Sequence, residues 1–356
     1  MEKIKVAILG QGRSGWGIHA THLLTDTDRF QVMAVADPIE VRRTKAVEAF
    51  GCAAYEDYSD IYSLKDIDLV VNALPSHLHV PVTLEFLQRG FNVLSEKPAA
   101  RTVAEMDALM AAAEKSGAMY AIFQQSRLAL HFFKIMEIIE SGKLGRLVEI
   151  KIRYNGYSRR WDWQTCQQFN GGNLLNNGPH PLDQALHIMN VVDMPTVFCK
   201  MDRVNTFGDA EDFVKLILSA PNTPLVDIEV SSCAVYPTDM YTIMGDRGGL
   251  RASTTSVDWQ YYDAENAPTQ EWIEKPLADA EGNPIYCKEE LQWTEEHWEH
   301  DDPKDTWVGA TARLYTNLVE HLLQGAPLVV TPDEVRQQIA VIEEAHRQNP
   351  LSRMSE

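Results

Sequence analysis

The sequence predicts an α/β protein with two domains, the first built on a doubly wound parallel sheet and the second on an antiparallel sheet with one covered face. Strand-like and helix-like segments alternate through the first third of the chain, whereas long runs beyond about Gln125 alternate apolar with polar residues. A length of 356 residues also exceeds what one hydrophobic core usually serves. We therefore expect domains over residues 1–124 and 125–356.

The first domain is predicted from short apolar runs that alternate with helix-like stretches closed by glycine. In order, these are a strand ending at Gly10, a strand Phe30–Asp37, a helix Glu40–Phe50, a strand Asp68–Pro75, a helix Val80–Arg89 closed by Gly90, a strand ending at Lys97, a helix Val103–Ser116 stopped by Gly117, and a strand Ala118–Gln125. This alternation is typical of parallel strands joined by crossover helices.

The second domain is predicted from runs that would present one apolar and one polar face. They are Arg146–Tyr157, Phe213–Ala220 and Asp227–Tyr236, followed by helices over Ala312–Leu323 and Pro332–Gln348. Thr331 is a favourable N-cap for the last helix, and Pro332 suits its first turn.

The run from Val6 to Gly15 reads VAILGQGRSG and predicts a dinucleotide-binding turn. Gly10 permits a tight strand-to-helix turn, Gly12 leaves room for a pyrophosphate, and Gly15 lets the helix approach the sheet. Asp37 ends the second predicted strand, where an acid can accept hydrogen bonds from a ribose diol. These features together predict a Rossmann domain.

The acid at Asp37 favours NAD over NADP, because a carboxylate repels a 2′-phosphate. Arg42 and Arg43 follow closely and are the residues that could accept such a phosphate. NAD is the preferred cofactor on this evidence.

Charge and composition narrow the possible partners. The formal net charge of −19, with 51 acidic residues against 32 Lys and Arg, argues against nucleic-acid binding. Five scattered cysteines suit reduced thiols, and we find neither a signal-peptide core nor a membrane-spanning run, so we expect a cytoplasmic protein. Cysteine spacing predicts no metal site, and Trp293–Asp302, although rich in His and acids, is expected to be a solvated loop or pocket rim.

His180 is the strongest candidate for a catalytic base. Pro181 can start a helix whose apolar stripe is Leu182, Ala185, Leu186 and Met189, so His180 would lie at the helix N-terminus. The helix dipole would keep the imidazole neutral there. Asp183 could orient the ring, and Asn176 could fix a substrate hydroxyl or cofactor amide. The alternative is that His180 only caps the helix.

Lys97 lies at the end of a predicted parallel strand, where ligands gather in open α/β sheets. A buried ammonium there could bind the reacting oxygen and carry its proton. The alternative is a solvated lysine at a strand end. Glu96 is expected to pair locally, and the Lys97–Pro98 peptide bond is a candidate for the cis form.

Trp161, Asp162 and Trp163 form an aromatic and acidic cluster that suits a sugar ring. Arg160 and His77 are weaker candidates for the same pocket. Core aromatics beside a local turn are the alternative explanation.

Four segments together resemble the Gfo/Idh/MocA oxidoreductases, which include glucose-fructose oxidoreductase and inositol dehydrogenases. They are GQGRSGWGIH from Gly10, SEKP from Ser95, SGKLGRLVEI from Ser141 and GGNLLNNGPHPLDQAL from Gly171. The resemblance implies a Rossmann domain that holds NAD(H) or NADP(H), followed by an α/β domain with a large open, mostly antiparallel sheet. One face of that sheet would carry the substrate pocket, and the other would join copies into a homodimer or homotetramer.

The resemblance also extends the expected cofactor contacts beyond the three glycines and Asp37. The additional residues are Arg13, Ser14, Pro75, His79, Glu96, Lys97 and Gln125. The chain departs from many relatives in one respect, since Asn176 stands where they have an aspartate four residues before the histidine.

These residues predict an NAD-dependent enzyme that transfers a hydride between nicotinamide and a secondary hydroxyl of a sugar, cyclic polyol or glycoside. Lys97 and His180 would handle the proton, with Asn176 and Asp183 in support. Two alternatives stay open: a glycosidase or epimerase that retains NAD and oxidises its substrate transiently, and a non-catalytic sugar- or nucleotide-binding protein.

Overall fold

A computed structural model describes residues 3–352 and contains a parallel sheet followed by a larger, mostly antiparallel sheet. The parallel sheet has the strand order β3-β2-β1-β4-β5-β6. Its strands are β1 (Ile4–Leu9), β2 (Phe30–Ala36), β3 (Ala53–Tyr55), β4 (Leu69–Asn72), β5 (Val93–Ser95) and β6 (Tyr120–Ile122). The order reverses between β1 and β4, which opens a crevice at their carboxyl ends. The predicted doubly wound sheet is confirmed.

Helices cover both faces of the parallel sheet. A π-helical turn over Gly15–Ala20 leads into a short first helix, and three longer helices connect the later strands. These helices are α1 (Thr21–Thr25), α2 (Glu40–Phe50), α3 (His79–Gln88) and α4 (Val103–Ser116). Because side chains alternate along a strand, Ala7 and Leu9 of β1 join one core cluster, whereas Val6 and Ile8 join the other.

The second sheet has the strand order β16-β13-β12-β11-β7-β10-β9-β8. Its strands are β7 (Leu147–Asn155), β8 (Thr196–Asp202), β9 (Phe213–Ser219), β10 (Leu225–Ser231), β11 (Tyr241–Gly245), β12 (Gly248–Ala252), β13 (Ser256–Tyr262) and β16 (Trp293–Glu299). Two short strands, β14 (Leu277–Ala278) and β15 (Pro284–Ile285), form a separate hairpin. Only the β7–β10 pairing in this sheet is parallel among the described strands, so the predicted mostly antiparallel sheet is confirmed.

One face of the second sheet is covered, and its inward side chains continue the core of the first domain. The remaining helices are α5 (Leu130–Glu140), α6 (Asn173–Asn176), α7 (Pro179–Met189), α8 (Val308–Gln324) and α9 (Pro332–Gln348). Helix α9 has the predicted bounds, with a capping box formed by Thr331 and Glu334. Helix α8 contributes Leu314 and Tyr315 to the core cluster of the parallel sheet.

Several predicted elements differ from the structure at their ends. Strand β5 stops at Ser95, so Glu96 and Lys97 lie in the loop that follows it. Strand β6 stops at Ile122, and a short 3-10 turn occupies Gln125–Leu128.

The expected loop at Trp293–Asp302 is wrong over most of its length, because residues Trp293–Glu299 form the edge strand β16. The alternative expectation of a pocket rim is confirmed in part, because Glu295, Glu296 and His297 line a cavity with residues of β11, β12 and β13. Strand β16 pairs antiparallel with β13 in a register that sets His297 opposite Asp258. Exposed acidic side chains along an edge strand discourage pairing with other chains, which accounts for their density here. Within residues 3–352 we find no helix that is long and apolar enough to cross a membrane.

Candidate active site

The glycine-rich loop after β1 is packed so closely that two of its glycines cannot be replaced without displacement. Gly10 has φ +82°, and a Cβ there would lie 2.6 Å from the carbonyl oxygen of Ala73. A Cβ at Gly15 would lie 1.9 Å from the carbonyl oxygen of Gly10. A Cβ at Gly12 would have its nearest neighbour 3.8 Å away, so this glycine keeps open the space in front of the loop.

The residues around this open space fit a bound dinucleotide. Both polar atoms of the Gln11 side-chain amide, and Oε1 of Gln125, are buried without a hydrogen-bond partner among residues 3–352, as expected of groups that face a ligand. Arg13 and Pro75 are exposed beside the crevice, and Ser14 is half-buried. In chemical terms, the loop offers amides for a pyrophosphate and buried amide groups for polar parts of the cofactor.

Asp37 follows β2 and is buried at the same crevice. Its Oδ2 accepts a hydrogen bond from the backbone N–H of Gln11 at 2.7 Å, and its Oδ1 accepts one from the N–H of Ile39 at 2.9 Å. Nη1 of Arg42 lies 3.4 Å from Oδ2. The Asp37 carboxylate therefore lies where the ribose of a bound dinucleotide is expected, and the Arg42 guanidinium lies next to it.

His79 and Glu96 lie behind the crevice and make contacts other than those predicted for cofactor binding. The ring nitrogens of His79 lie 2.9 Å from the carbonyl oxygen of Pro98 and 2.8 Å from that of Leu74. Oε1 of Glu96 lies 3.3 Å from Nε2 of His19. Both residues therefore have protein partners behind the crevice, and their contacts with a cofactor stay predictions.

Lys97 bridges the two domains. Its Nζ donates a hydrogen bond to the backbone carbonyl of Asn176 at 2.5 Å, and the Lys97–Pro98 peptide bond is cis, as hypothesised. Burial lowers the pKa of Lys97 from its usual value, and the nearby Glu96 carboxylate opposes that shift. The lysine is thus held at the domain junction, close to helix α6.

His180 is the second residue of α7, whose first residue is Pro179 rather than the predicted Pro181. Its Nδ1 lies 3.0 Å from the hydroxyl oxygen of Ser126. Burial, helped by the charge of Lys97, lowers the pKa of His180 to about 3, so the imidazole is neutral at physiological pH. Sequence reasoning missed Ser126, although it directly follows the strand predicted to end at Gln125.

Asp183 does not orient the His180 ring, so this prediction is wrong. Its carboxylate accepts hydrogen bonds from Nε of Arg127 at 2.9 Å and from Nη2 at 2.6 Å. Nη1 of Arg127 in turn lies 2.6 Å from Glu334 at the start of α9. Arg127 therefore binds the Asp183 carboxylate, and Ser126 contacts the His180 imidazole instead.

Asn176 is tied to the segment that contains the predicted tryptophan cluster. Its Oδ1 accepts a hydrogen bond from Nε2 of Gln164 at 3.1 Å, and Gln164 also bonds the Arg160 guanidinium. Arg160 pairs with Asp162 at 2.8 Å, while Trp161 between them is exposed. Trp163 is also exposed.

His77 lies against the Phe169 ring, with the ring centroids 5.0 Å apart. Between residues 3 and 352, no group of three or more His, Cys, Asp or Glu side chains is arranged to hold a metal ion.

Replacing Asp37 by serine is expected to turn the cofactor preference toward NADP. The unaltered protein should bind NAD more tightly, whereas Asp37→Ser leaves the neighbouring Arg42 guanidinium free to pair with a 2′-phosphate. Fluorescence titration of both cofactors should show their Kd ratio shifting toward NADP by roughly tenfold or more, the scale of one charge-assisted hydrogen bond. The control Asp37→Ser/Arg42→Ala should lose this gain. Tighter NADP binding by the unaltered protein would contradict the role given to Asp37.

Removing the Arg127 guanidinium is expected to destabilise the protein strongly. Arg127→Leu leaves the buried Asp183 carboxylate unpaired, which should lower the free energy of unfolding by about 3–5 kcal/mol. The double variant Arg127→Leu/Asp183→Leu removes both charges and should recover part of that loss. Urea unfolding followed by tryptophan fluorescence measures both effects. An equal loss in the single and double variants would show that the unpaired charge is not the cause.

Two sequence profiles of one family match this chain in order. The first, described as "Oxidoreductase family, NAD-binding Rossmann fold", matches residues 4–124. The second, described as "GFO/IDH/MocA C-terminal domain", matches residues 132–251. Together they cover most of the sequence, including the whole parallel sheet and the second sheet from β7 into β12.

Individual relatives are more distant. A scyllo-inositol 2-dehydrogenase (NADP(+)) of Bacillus subtilis is 26% identical over 366 residues, covering 97% of this chain and 93% of the relative. An uncharacterized oxidoreductase of Schizosaccharomyces pombe is 28% identical over 226 residues, and this chain spans only 61% of that relative's length and 62% of its own.

The crystal structure of the WlbA dehydrogenase from Bordetella pertussis, in complex with NADH and UDP-GlcNAcA, shares the fold. Its TM-score is 0.74 at 20% identity, covering 98% of this chain and 96% of that one. The two matching profiles, supported by the two sheets and the glycine-rich loop, show that the chain belongs to the GFO/IDH/MocA oxidoreductases and carries their NAD-binding Rossmann domain.

Proposed function

We propose that this protein is an NAD-dependent dehydrogenase that oxidises a secondary hydroxyl of a sugar, cyclic polyol or glycoside. The observation that carries the proposal is that Lys97, after β5, donates to the backbone carbonyl of Asn176, which lies four residues before His180 at the start of α7. Lys97 and His180 flank the crevice that the glycine-rich loop opens. The inositol dehydrogenase among the relatives supports an alcohol substrate.

The cofactor would be held by the Gly10–Gly15 loop, Asp37 and Gln125, and when bound its nicotinamide supplies the hydride acceptor. This chain's own residues must then bind the hydroxyl and take its proton. Neutral His180 can accept a hydrogen bond from the substrate hydroxyl at Nε2, which makes no hydrogen bond within residues 3–352, when its Nδ1–H donates to Ser126.

Lys97 is the second proton-handling group in this proposal. An ammonium bound to a neutral carbonyl, rather than to a carboxylate, can release its proton more readily. Its lowered pKa makes the neutral amine more accessible than it is in an exposed lysine. We assign Ser126 and Asn176 to positioning, since each contacts one of the two proton-handling residues.

We also infer that the open face of the second sheet joins copies of the chain into a homodimer or homotetramer. Phe198, Leu225 and Met244 expose apolar surface there. Strand β16 ends this face as an edge strand.

Alanine at either proton-handling residue is expected to lower turnover by about two orders of magnitude or more, while NAD affinity stays nearly unchanged. Lys97→Ala and His180→Ala should be assayed by NADH absorbance with a panel of sugars, polyols and glycosides. Ser126→Ala is the matched control for positioning and should cost less. Near-normal turnover in either alanine variant would remove that residue from the mechanism. Bound NAD that cycles without net NADH would instead favour a glycosidase or epimerase.

The pH dependence should separate the two residues. If neutral Lys97 takes the proton, kcat/KM for oxidation rises with pH through a midpoint below 10.5, because burial lowers this pKa. His180, with a pKa of about 3, is already neutral throughout that range and contributes no midpoint there. Asn176→Asp adds a carboxylate to the residue whose backbone carbonyl holds Lys97, and should move the midpoint upward by about one unit. An unchanged midpoint in a correctly folded Asn176→Asp variant would contradict this assignment.

A further inference from the structure

Five exposed apolar side chains gather at the end of the second sheet where β7 and β10 finish. We call this group the aromatic rim. Its members and their exposed fractions are Tyr157 (59%), Trp161 (79%), Phe207 (80%), Val235 (62%) and Tyr236 (92%). A single exposed apolar side chain is ordinary, but a group of them at one place marks a binding surface.

Backbone hydrogen bonds hold the three segments that carry the rim next to one another. The N–H of Ala234 donates to the carbonyl of Gly156 at 3.0 Å, which joins the ends of β7 and β10. The N–H of Phe207 donates to the carbonyl of Arg160 at 2.8 Å, which places this loop beside the exposed Trp161. The rim is therefore one surface built from three loops.

The rim borders a cavity whose wall includes two residues that contact His180. This cavity has a volume of about 420 Å³, and Tyr157, Tyr154 and Asn177 lie in its wall. The Tyr154 and His180 rings are nearly parallel with centroids 6.4 Å apart, and the N–H of His180 lies 3.3 Å from the carbonyl oxygen of Asn177. A ligand whose reacting part lies beside His180 can thus extend outward to the rim.

Two arginines near the cavity are already paired. Arg153 in the cavity wall donates to Asp227 at 2.7 Å, and Arg160 beside the rim pairs with Asp162 at 2.8 Å. Arg159, between Tyr157 and Trp161, is exposed and has no ion pair within residues 3–352. The wall also contains Ser231, whose hydroxyl oxygen accepts a hydrogen bond from the N–H of Cys233 and whose proton is left to donate to a hydroxyl of a ligand.

We propose that the aromatic rim is a second sugar subsite, which binds the non-reacting ring of a disaccharide or longer oligosaccharide while the ring to be oxidised lies beside His180. The apolar face of a sugar ring packs on an aromatic side chain, and its hydroxyl groups bond the polar wall. This inference rests on the proposed function, since it names the substrate class of the same site.

The test compares two substrates that share the same reacting ring, a methyl glycoside and the corresponding disaccharide. Steady-state oxidation should be measured for the NAD-loaded protein and for Trp161→Ala. We expect the unaltered protein to prefer the disaccharide in kcat/KM by roughly tenfold or more, the scale of one lost aromatic contact. Trp161→Ala should lose most of this preference, because kcat/KM falls for the disaccharide while kcat/KM for the methyl glycoside stays unchanged.

Trp272→Ala is the matched control. Trp272 is 88% exposed and lies between β13 and β16, in the connection that leaves the opposite end of the sheet. It should leave the preference intact. Equal losses for both substrates in Trp161→Ala, or no loss for either, would overturn the subsite. An altered oligomeric state of Trp161→Ala with an unchanged preference for the disaccharide would also overturn the subsite, because the rim would then be a contact between protein copies.

A binding measurement separates failure of the subsite from failure of the proposed function. If no carbohydrate is oxidised, the dehydrogenase proposal fails, and saturation-transfer NMR on the NAD-loaded protein still tests the rim. The subsite is supported if saturation transfer to the protons of the second sugar ring is lost in Trp161→Ala and kept in Trp272→Ala. Transfer that is equal in both variants, or absent from the unaltered protein, overturns it.

Discussion

Ionised side chains are buried where the two sheets meet, and each requires a partner from a different part of the chain. Burial alone would raise the pKa of Glu96, but the His19 hydrogen bond and the neighbouring Lys97 charge lower it to about 2, so the carboxylate stays ionised. Arg127 is held in the same way by Asp183 on α7. An unpaired charge at these positions would cost several kcal/mol. The pairings therefore couple the loop after β5, the π-helical turn and α7, and with them the two sides of the crevice.

These pairings determine where the side chain of Lys97 lies relative to the second domain. Glu96 accepts a hydrogen bond from the backbone N–H of Lys97 at 3.1 Å, which directs the lysine side chain across the junction. At the junction the Lys97 ammonium donates a hydrogen bond to the backbone carbonyl of Asn176, which is a neutral group rather than a carboxylate. A carboxylate partner would hold the ammonium in its charged form, whereas a carbonyl satisfies one donor and leaves the proton easier to release. Burial and the nearby Lys97 charge lower the pKa of His180 and keep its imidazole uncharged.

Sequence reasoning located the residues whose signals are local and missed those whose partners are distant. The glycine spacing, Lys97 after a strand and His180 at a helix start could all be predicted from neighbouring residues. Ser126 lies 54 residues from the histidine it contacts, and no pattern within either segment reveals that pairing. Asp183 was predicted to serve His180 because it lies one turn away, but a distant arginine binds it more strongly. Strand β16 was not predicted, because an edge strand exposed to solvent lacks the alternation of apolar and polar residues that identifies a half-buried strand in a sequence.

The aromatic rim and the proton-handling residues are not independent parts of the molecule. Trp161 lies between Arg160 and Asp162, whose ion pair holds Gln164, and Gln164 donates to the side chain of Asn176. The backbone of Asn176 in turn holds Lys97. A ligand that packs on Trp161 therefore acts on a segment connected by hydrogen bonds to the reactive ammonium. Since binding energy gained at a distance from the reacting atoms can be used to position them, this connection joins recognition of the outer part of a substrate to the chemistry at its inner part.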